Sequence, residues 1–323
     1  MKKIIGIGNA LVDIMTKLGK EELLKELNFP KGSMQLVDTS IMQLITEKTL
    51  NDTKQLTTGG SAANTINGLA NLGVSTSFIG SIGNDDIGSF FEKDMLRSNI
   101  NPILFKGAEN TGRAIAMISP DAERTFAVYL GAAIELNKES LSIDNLKGHD
   151  ILYIEGYLIP NRELVLSVAK MAKEIGMKIC YDMASFNVVE ENREFINEFI
   201  EKYIDIVFAN EEEAKAFTGL DARMALDVIA GKCEVAIVKV GSKGSLIKAN
   251  NKITEIGVIE CNKLDTTGAG DMYAAGFLYG YINDLSMAKC GYYGSLLSGK
   301  VIEVIGAKMD NEKWSEINNI IKK

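Results

Sequence analysis

The run Asp265-Thr266-Thr267-Gly268-Ala269-Gly270-Asp271, followed at once by the apolar stretch Met272 to Tyr281, is the strongest chemical signal in the sequence. Three small residues at a helix start leave backbone N–H groups unpaired and free to surround an anion, and the helix dipole favours negative charge there. Gly268, Ala269 and Gly270 can therefore cradle a phosphate. Asp271, just inside that helix, holds a carboxylate beside the anion, an awkward neighbour unless it accepts a proton from an attacking hydroxyl. The competing reading is a glycine-rich turn whose first-turn Asp complements the dipole.

The rest of the chemistry is bounded by what is scarce. His149 is the single histidine, so Ser-His-Asp, Cys-His and most zinc mechanisms have nothing to build on. It sits in a turn before an apolar run and is expected to be a solvated turn residue. Cys180, Cys233, Cys261 and Cys290 contain no C-x-x-C pair and read as buried free thiols. Catalysis must rest on carboxylates, backbone amides, Lys or Arg, and a hard metal ion. The net charge of −8 argues against a nucleic-acid partner, whose affinity comes from clustered Lys and Arg. No window approaches the roughly 18 apolar residues of a membrane span. The amino terminus is too short for a signal-peptide core, so a cytoplasmic location is expected.

Several further runs sit at turns. Gly6-Ile7-Gly8-Asn9-Ala10-Leu11-Val12-Asp13 fails as a dinucleotide fingerprint, because Leu11 stands where the third glycine belongs. Asn210-Glu211-Glu212-Glu213 has the spacing of a capping box. Val238-Lys239-Val240-Gly241-Ser242-Lys243-Gly244 ends a strand in a tight glycine turn that could simply close a hairpin. Gly294-Ser295-Leu296-Leu297-Ser298-Gly299-Lys300-Val301 fits most of a Walker loop. However, Val301 replaces the magnesium-binding hydroxyl and the run lies in a helical pattern.

The Asp265–Asp271 run resembles the signature of the ribokinase-like kinases, the phosphofructokinase B family, which phosphorylate a sugar or nucleoside hydroxyl with ATP. Gly59-Gly60-Ser61-Ala62-Ala63-Asn64 resembles that family's second signature, and the two stand in the family's order. The resemblance implies that Asp271 is the general base, that Gly268 to Gly270 form the anion hole, and that Gly59, Gly60 and Asn64 approach the acceptor. Asn9 and Asp13 match the family's first strand and turn, where they face substrate. A carboxylate at Asp13 can accept from two vicinal hydroxyls, or merely close an Asx turn. Asn210 and Glu213 resemble the N-x-x-E element associated with magnesium and phosphate, Glu213 holding a metal-bound water; the capping box is compatible with that role. Lys239, Gly241, Gly244 and Thr266 are implied as ATP contacts, and Ser295 and Ser298 as a border of the adenine pocket. Arg124, beside Glu123, resembles a lid arginine that reaches the transferred phosphoryl group, with a solvated arginine as the alternative.

These residues need a scaffold that brings turns together. The composition, 46% hydrophobic and 24% charged, is that of an ordinary globular chain. Short β-branched runs alternate with longer 3.6-period segments, which predicts a doubly wound, mostly parallel α/β sheet with helices on both faces. Strands are expected at 3–8, 77–81, 151–155, 178–182, 206–209 and 235–240. Helices are expected at 62–72, 87–97, 162–175, 193–202, 211–218, 222–230, 270–282, 286–301 and 311–321. Two stretches break the alternation, about 13–58 and 101–130, the second folding about a turn at Pro120-Asp121. They are expected to form a small β lid inserted into a single domain covering 1–323. Such a lid would lie over the carboxyl edge of the sheet, where open α/β proteins bind ligands.

The long segment between Asn9 and Gly59, with Gly32-Ser33-Met34-Gln35-Leu36, resembles the adenosine kinase branch more than ribokinases. Adenosine is accordingly the first expected acceptor, a free sugar such as ribose or fructose the alternative, and a catalytically silent sugar-binding protein a third. A base would need an apolar slot with an aromatic face, for which Leu11, Gln35, Phe126 and Phe186 are candidates. The expected cofactors are ATP and Mg²⁺, the expected partner a small molecule, and a homodimer through the lid is possible.

Overall fold

Alternating β-branched residues generate a strand set that divides into two sheets. In the computed structural model, which describes residues 2–18, 22–50, 52–119 and 124–322, the strands are β1 Lys3–Ile7, β2 Leu11–Lys17, β3 Met34–Leu36, β4 Lys54–Gly59, β5 Ser75–Ile82, β6 Ile100–Lys106, β7 Gly112–Ile118, β8 Arg124–Tyr129, β9 Ile151–Glu155, β10 Lys178–Asp182, β11 Ile206–Asn210, β12 Val235–Lys239, β13 Ser245–Ala249 and β14 Lys252–Ile256. The large sheet has the order β14-β13-β12-β11-β10-β9-β1-β5-β6 and is parallel apart from the β12-β13-β14 meander. The expected doubly wound α/β class is met. The sheet's interior strands are buried on both faces, so they read as unbroken apolar runs. In β1, Ile4 enters one hydrophobic core while Ile5 and Ile7 enter the other. The first core holds the helices Ser61–Asn71, Ala269–Ile282 and Met287–Val301, and the second holds Arg162–Glu174, Phe186–Tyr203, Glu211–Thr218 and Ala222–Ala230.

The second sheet has the order β3-β8-β7-β2-β4. The stretch 101–130 divides between the two sheets. Its first part, β6, pairs in parallel with β5 as an edge of the large sheet, and only β7 and β8 join the small one. The turn expected at Pro120-Asp121, with Glu123, lies outside the described residues. Within 13–58, the small sheet carries two short helices, Glu22–Glu26 and Thr39–Lys48, which bury Leu24, Met42 and Ile45 against Val12, Ile14, Ile115, Met117 and Ala127.

Side chains alternate between the faces of a strand, so register decides which residues share a face. Asp13 pairs with Ala114, Ala114 with Val128, and Val128 with Leu36. The next row is Met15, Ala116, Phe126 and Met34, and beyond it Ile118 pairs with Arg124. Gln35 pairs with Ala127 and so belongs to the opposite face, the one covered by the short helices.

Candidate active site

The carboxyl ends of the parallel strands bring together side chains that are far apart in sequence. Asn9 follows β1, Glu155 ends β9, Asp182 ends β10, Asn210 ends β11 and Lys239 ends β12. This is the edge of an open α/β sheet at which ligands bind. A cleft of about 960 Å³ opens there, lined by the Gly268–Asp271 turn, Ser61, Asp182, Asn210, Glu213, Lys239, Gly241, Gly244, Thr266, Ser295 and Ser298, among others.

Asp271 lies on the floor, in the first turn of the Ala269–Ile282 helix. Gly268 caps that helix in the left-handed conformation at φ 74°, which aims the following amides outward. The Asp271 carboxylate accepts from Ser61 Oγ at 2.7 Å and from Asn64 Nδ2 at 2.9 Å. Thr65 Oγ1 donates to its backbone carbonyl at 3.2 Å. The two signatures are thus welded through one residue. Burial pushes Asp271 up to about 6; Asn64 and Ser61 pull it back, Asp182 raises it further and Lys239 lowers it. A carboxyl so placed is ionised at neutral pH yet basic enough to take a proton. The Asn64 side-chain oxygen is buried without a hydrogen-bond partner, an acceptor available to a hydroxyl.

Beside Asp271, the same edge is continued by the ends of β1, β2 and β4. Gly60, at φ 97°, lies so close to Asn9 that a Cβ there would stand 2.2 Å from the Asn9 carbonyl oxygen. A Cβ on Gly59 would meet the Asp13 carboxylate at 2.4 Å. The glycine pair is required because the β4 end passes through the same space as Asn9 and Asp13. Burial raises Asp13 to about 7, Lys308 lowering it and Asp271 raising it again. Arg124 Nη1 meets Asp265 Oδ2 at 2.5 Å, so it is paired rather than solvated. These two relations turn the Asp13 face of the small sheet toward the Asp265–Asp271 run. That face carries Leu11, Met15, Phe126, Met34 and Leu36, of which Met34 and Leu36 are 62% and 71% exposed. Gln35 is corrected by the same register: it points to the helical side and bonds Ser33. Phe186 opens the Phe186–Tyr203 helix and is exposed; like Asn9, Leu11, Asp13, Gly59, Gly60, Asn64, Arg124 and Phe126, it is not among the residues lining the cleft.

On the cleft's other wall, Asn210 and Glu213 form the full capping box. The Glu213 oxygens accept from Asn210 N and Nδ2, each at 2.7 Å, and Glu213 N donates to Asn210 Oδ1 at 2.8 Å. Burial pushes Glu213 up to about 7, with Lys239 lowering it and Asp182 raising it. Among the described residues no group of three or more His, Cys, Asp or Glu could hold a metal ion. Hard carboxylate oxygens suit magnesium, and a single such side chain holding it through water matches the ion's habit of keeping several waters. Gly241 and Gly244 close the hairpin between β12 and β13 and line the cleft at the same time. Ser295 Oγ donates to Gly257 O at 3.0 Å. The Gly294–Val301 run lies inside the Met287–Val301 helix, as a rejected Walker loop should.

Three contributors escaped the sequence reading. Glu155 is 1% exposed and accepts from Asn9 N, Asn9 Nδ2 and Ala62 N at 2.8, 2.8 and 2.9 Å, tying the first turn to the start of the Ser61–Asn71 helix. Asp182 is 4% exposed and ion-pairs with Lys239 at 3.2 Å. Lys308 reaches Asp94 at 2.5 Å and also Thr58. For the two acids a signal existed: a carboxylate at the carboxyl end of an apolar parallel strand. All four cysteines are free and Cys180 and Cys290 are buried as expected, while His149 and the other two thiols are corrected. The histidine is half-buried, its Nε2 2.8 Å from Ser77 Oγ, and Cys233 and Cys261 are half-exposed.

Comparison with known proteins gives the family. Residues 32–314 match the pfkB family carbohydrate kinase description. The chain belongs to the pfkB family of carbohydrate kinases. It is 28% identical over 268 residues to a nucleoside kinase of Methanocaldococcus jannaschii, covering 82% of this chain and 85% of that one. It is 29% identical over 275 residues to a 5-dehydro-2-deoxygluconokinase of Geobacillus kaustophilus, covering 79% and 81%. The crystal structure of adenosine kinase from Sinorhizobium meliloti superposes with a TM-score of 0.87 at 30% identity, covering 99% of each chain. This pfkB kinase is therefore an ATP-dependent phosphotransferase acting on a carbohydrate or nucleoside.

Proposed function

We propose that this kinase transfers the terminal phosphoryl group of ATP to a primary hydroxyl of a nucleoside, adenosine first among them. One observation carries the choice of a nucleoside: the face bearing Asp13 is a half-open apolar surface of Leu11, Met15, Phe126, Met34 and Leu36. A bare sugar has no apolar surface to offer it, whereas a base buried there supplies binding that the reacting centre can use. The similarity to adenosine and nucleoside kinases supports the same reading. The similarity to a 5-dehydro-2-deoxygluconokinase supports a carbohydrate acceptor without a base instead.

In this reading the small sheet is a lid, and Asp13 with Asn9 reads the sugar diol. The primary hydroxyl lies against Asp271, donating to it as the Asn64 amide holds the carboxylate in place. Asp271 takes the proton as the oxygen attacks, and the Gly268–Gly270 amides receive the charge of the transferred group. Arg124 exchanges Asp265 for the phosphoryl oxygens. Magnesium bound with the nucleotide supplies charge neutralisation of the phosphates, and Glu213 would hold it through water. Lid closure excludes water and limits ATP hydrolysis.

The test is the ratio of kcat/KM for adenosine to that for ribose, fructose and other free sugars, with 2′-deoxyadenosine in the same panel. Adenosine should lead the sugars, and the deoxy analogue should fall behind adenosine because Asp13 is left unpaired. A free sugar leading by about tenfold or more, about 1.4 kcal/mol of transition-state binding, assigns the apolar face to another purpose.

A further inference from the structure

The wall between the donor and acceptor sides contains a buried charge whose position is unusual. Lys239 ends β12, and its ammonium lies 3.2 Å from the place a Cβ would occupy on Gly270. A cation against the first turn of a helix opposes the helix dipole, so carboxylates must hold it there. Asp182 Oδ2 does so at 3.2 Å, with the two side chains 16% and 6% exposed. Asp182 has two other donors, Ala184 N at 3.1 Å on Oδ1 and the Tyr153 hydroxyl at 3.4 Å on Oδ2. It therefore stays partnered when the ammonium leaves. Lys263, the other lysine lining the cleft, is exposed.

We propose that Lys239 is a transferable counter-charge, held against the Gly270 turn by Asp182 before the nucleotide binds and passed to the phosphoryl oxygens during transfer, with Asp182 as its positioning residue. No covalent bond to either side chain forms, and Lys239 keeps its protons throughout. The exchange suits a loose transition state, in which the protein's work is positioning and charge stabilisation. It rests on the phosphoryl-transfer reading of this cleft and on nothing about which acceptor is used.

The experiment measures steady-state kinetics of Lys239→Met, Asp182→Asn and the double variant, with whichever acceptor turns over fastest, across pH 5 to 8. Lys239→Met should lower kcat by about 10²- to 10³-fold, as loss of a preorganised charge donor does, with acceptor KM little changed. Asp182→Asn should cost about 10- to 100-fold, the range for a supporting partner. The acid limb of kcat/KM reports Asp271, which also feels Asp13, Glu155, Tyr153 and Tyr157. Removing the Lys239 cation should move that limb up, and removing the Asp182 anion should move it down. A packing defect has no reason to move the two variants in opposite directions. Should Lys239→Met fail to fold, the double variant, with both charges removed, carries the kcat test and should stay impaired. Near-normal kcat in either Lys239 variant overturns the proposal, as does a limb shift of one sign in both single variants. So does a raised magnesium requirement in Asp182→Asn, which would assign Asp182 to the metal's water. Asp271→Asn run alongside separates the two levels: if it too is unimpaired, the reading of the cleft fails rather than the role of Lys239.

Discussion

Asp271 has the placement a general base needs: buried, oriented by Ser61 and Asn64, and held near 6 by burial. Asp271→Asn keeps the shape and removes the proton acceptor, so kcat should fall by about 10²- to 10⁴-fold with acceptor affinity largely kept. In the wild type, kcat/KM should decline as pH falls through about 6, because the protonated carboxyl cannot accept. Retained turnover in the variant, or a flat profile down to pH 5, removes Asp271 from the chemistry. Glu213 is the counter-example, since its oxygens are already engaged by Asn210. Glu213→Gln removes the charge while keeping a side-chain oxygen that can accept from the Asn210 N–H. If Glu213 also holds metal-bound water, the magnesium titration of turnover should shift to higher concentration. Superimposable titrations would leave only the cap.

The small sheet makes a sharper test, because two neighbouring strands present residues to opposite faces of it. Phe126 lies on the Asp13 face and Gln35 on the helical face, although β3 and β8 are hydrogen-bonded neighbours. Truncating Phe126 to Ala should lower kcat/KM for adenosine by about tenfold or more, the cost of losing apolar contact of 1–3 kcal/mol, and leave slow sugar turnover nearly unchanged. Gln35→Ala should leave both within about twofold, which is inside the error of a lost surface contact. Equal losses in the two variants would show that the sheet responds as a unit, and the base slot would lose its support.

Four carboxyls converge on this one region with folded pKa values above their ordinary range: Asp13, Glu155 and Glu213 at about 7 and Asp271 at about 6. The sign follows directly. A carboxyl that binds its proton more tightly folded than unfolded makes the folded state lose stability as pH rises from the unfolded value toward the folded one. The ion-paired Asp85, Asp94 and Asp265 are shifted down and stay ionised in both states above pH 6. His149, shifted down by burial, works the other way below its ordinary 6.5. The melting temperature of the ligand-free protein should therefore rise by a few degrees between pH 8 and 6, while kcat/KM falls over the lower part of that range. His149→Gln should steepen the rise. A melting temperature that drops over this interval would mean the four carboxyls are not held as described. The site is built at some expense of stability, as charge placed for chemistry often is.

What could be read without coordinates was everything set by near neighbours along the chain. The small-residue run before Asp271, the capping box at Asn210, the 3.6-period helices and the apolar parallel strands are each specified within a dozen residues. The phosphotransfer signatures are of that kind, and so is the α/β class. What only the tertiary structure decided depends on pairing across long separations. The placement of β6 in the large sheet rests on its partner β5. The face taken by Gln35 rests on register, where a shift of one residue exchanges the two faces. Glu155 and Asp182 look like ordinary strand ends in sequence, because a carboxylate's role depends on which amides and ammonium the fold brings to it. Asn9 lies 146 residues from Glu155, and Lys239 lies 57 from Asp182, distances over which no local pattern carries information but a parallel sheet places strand ends side by side.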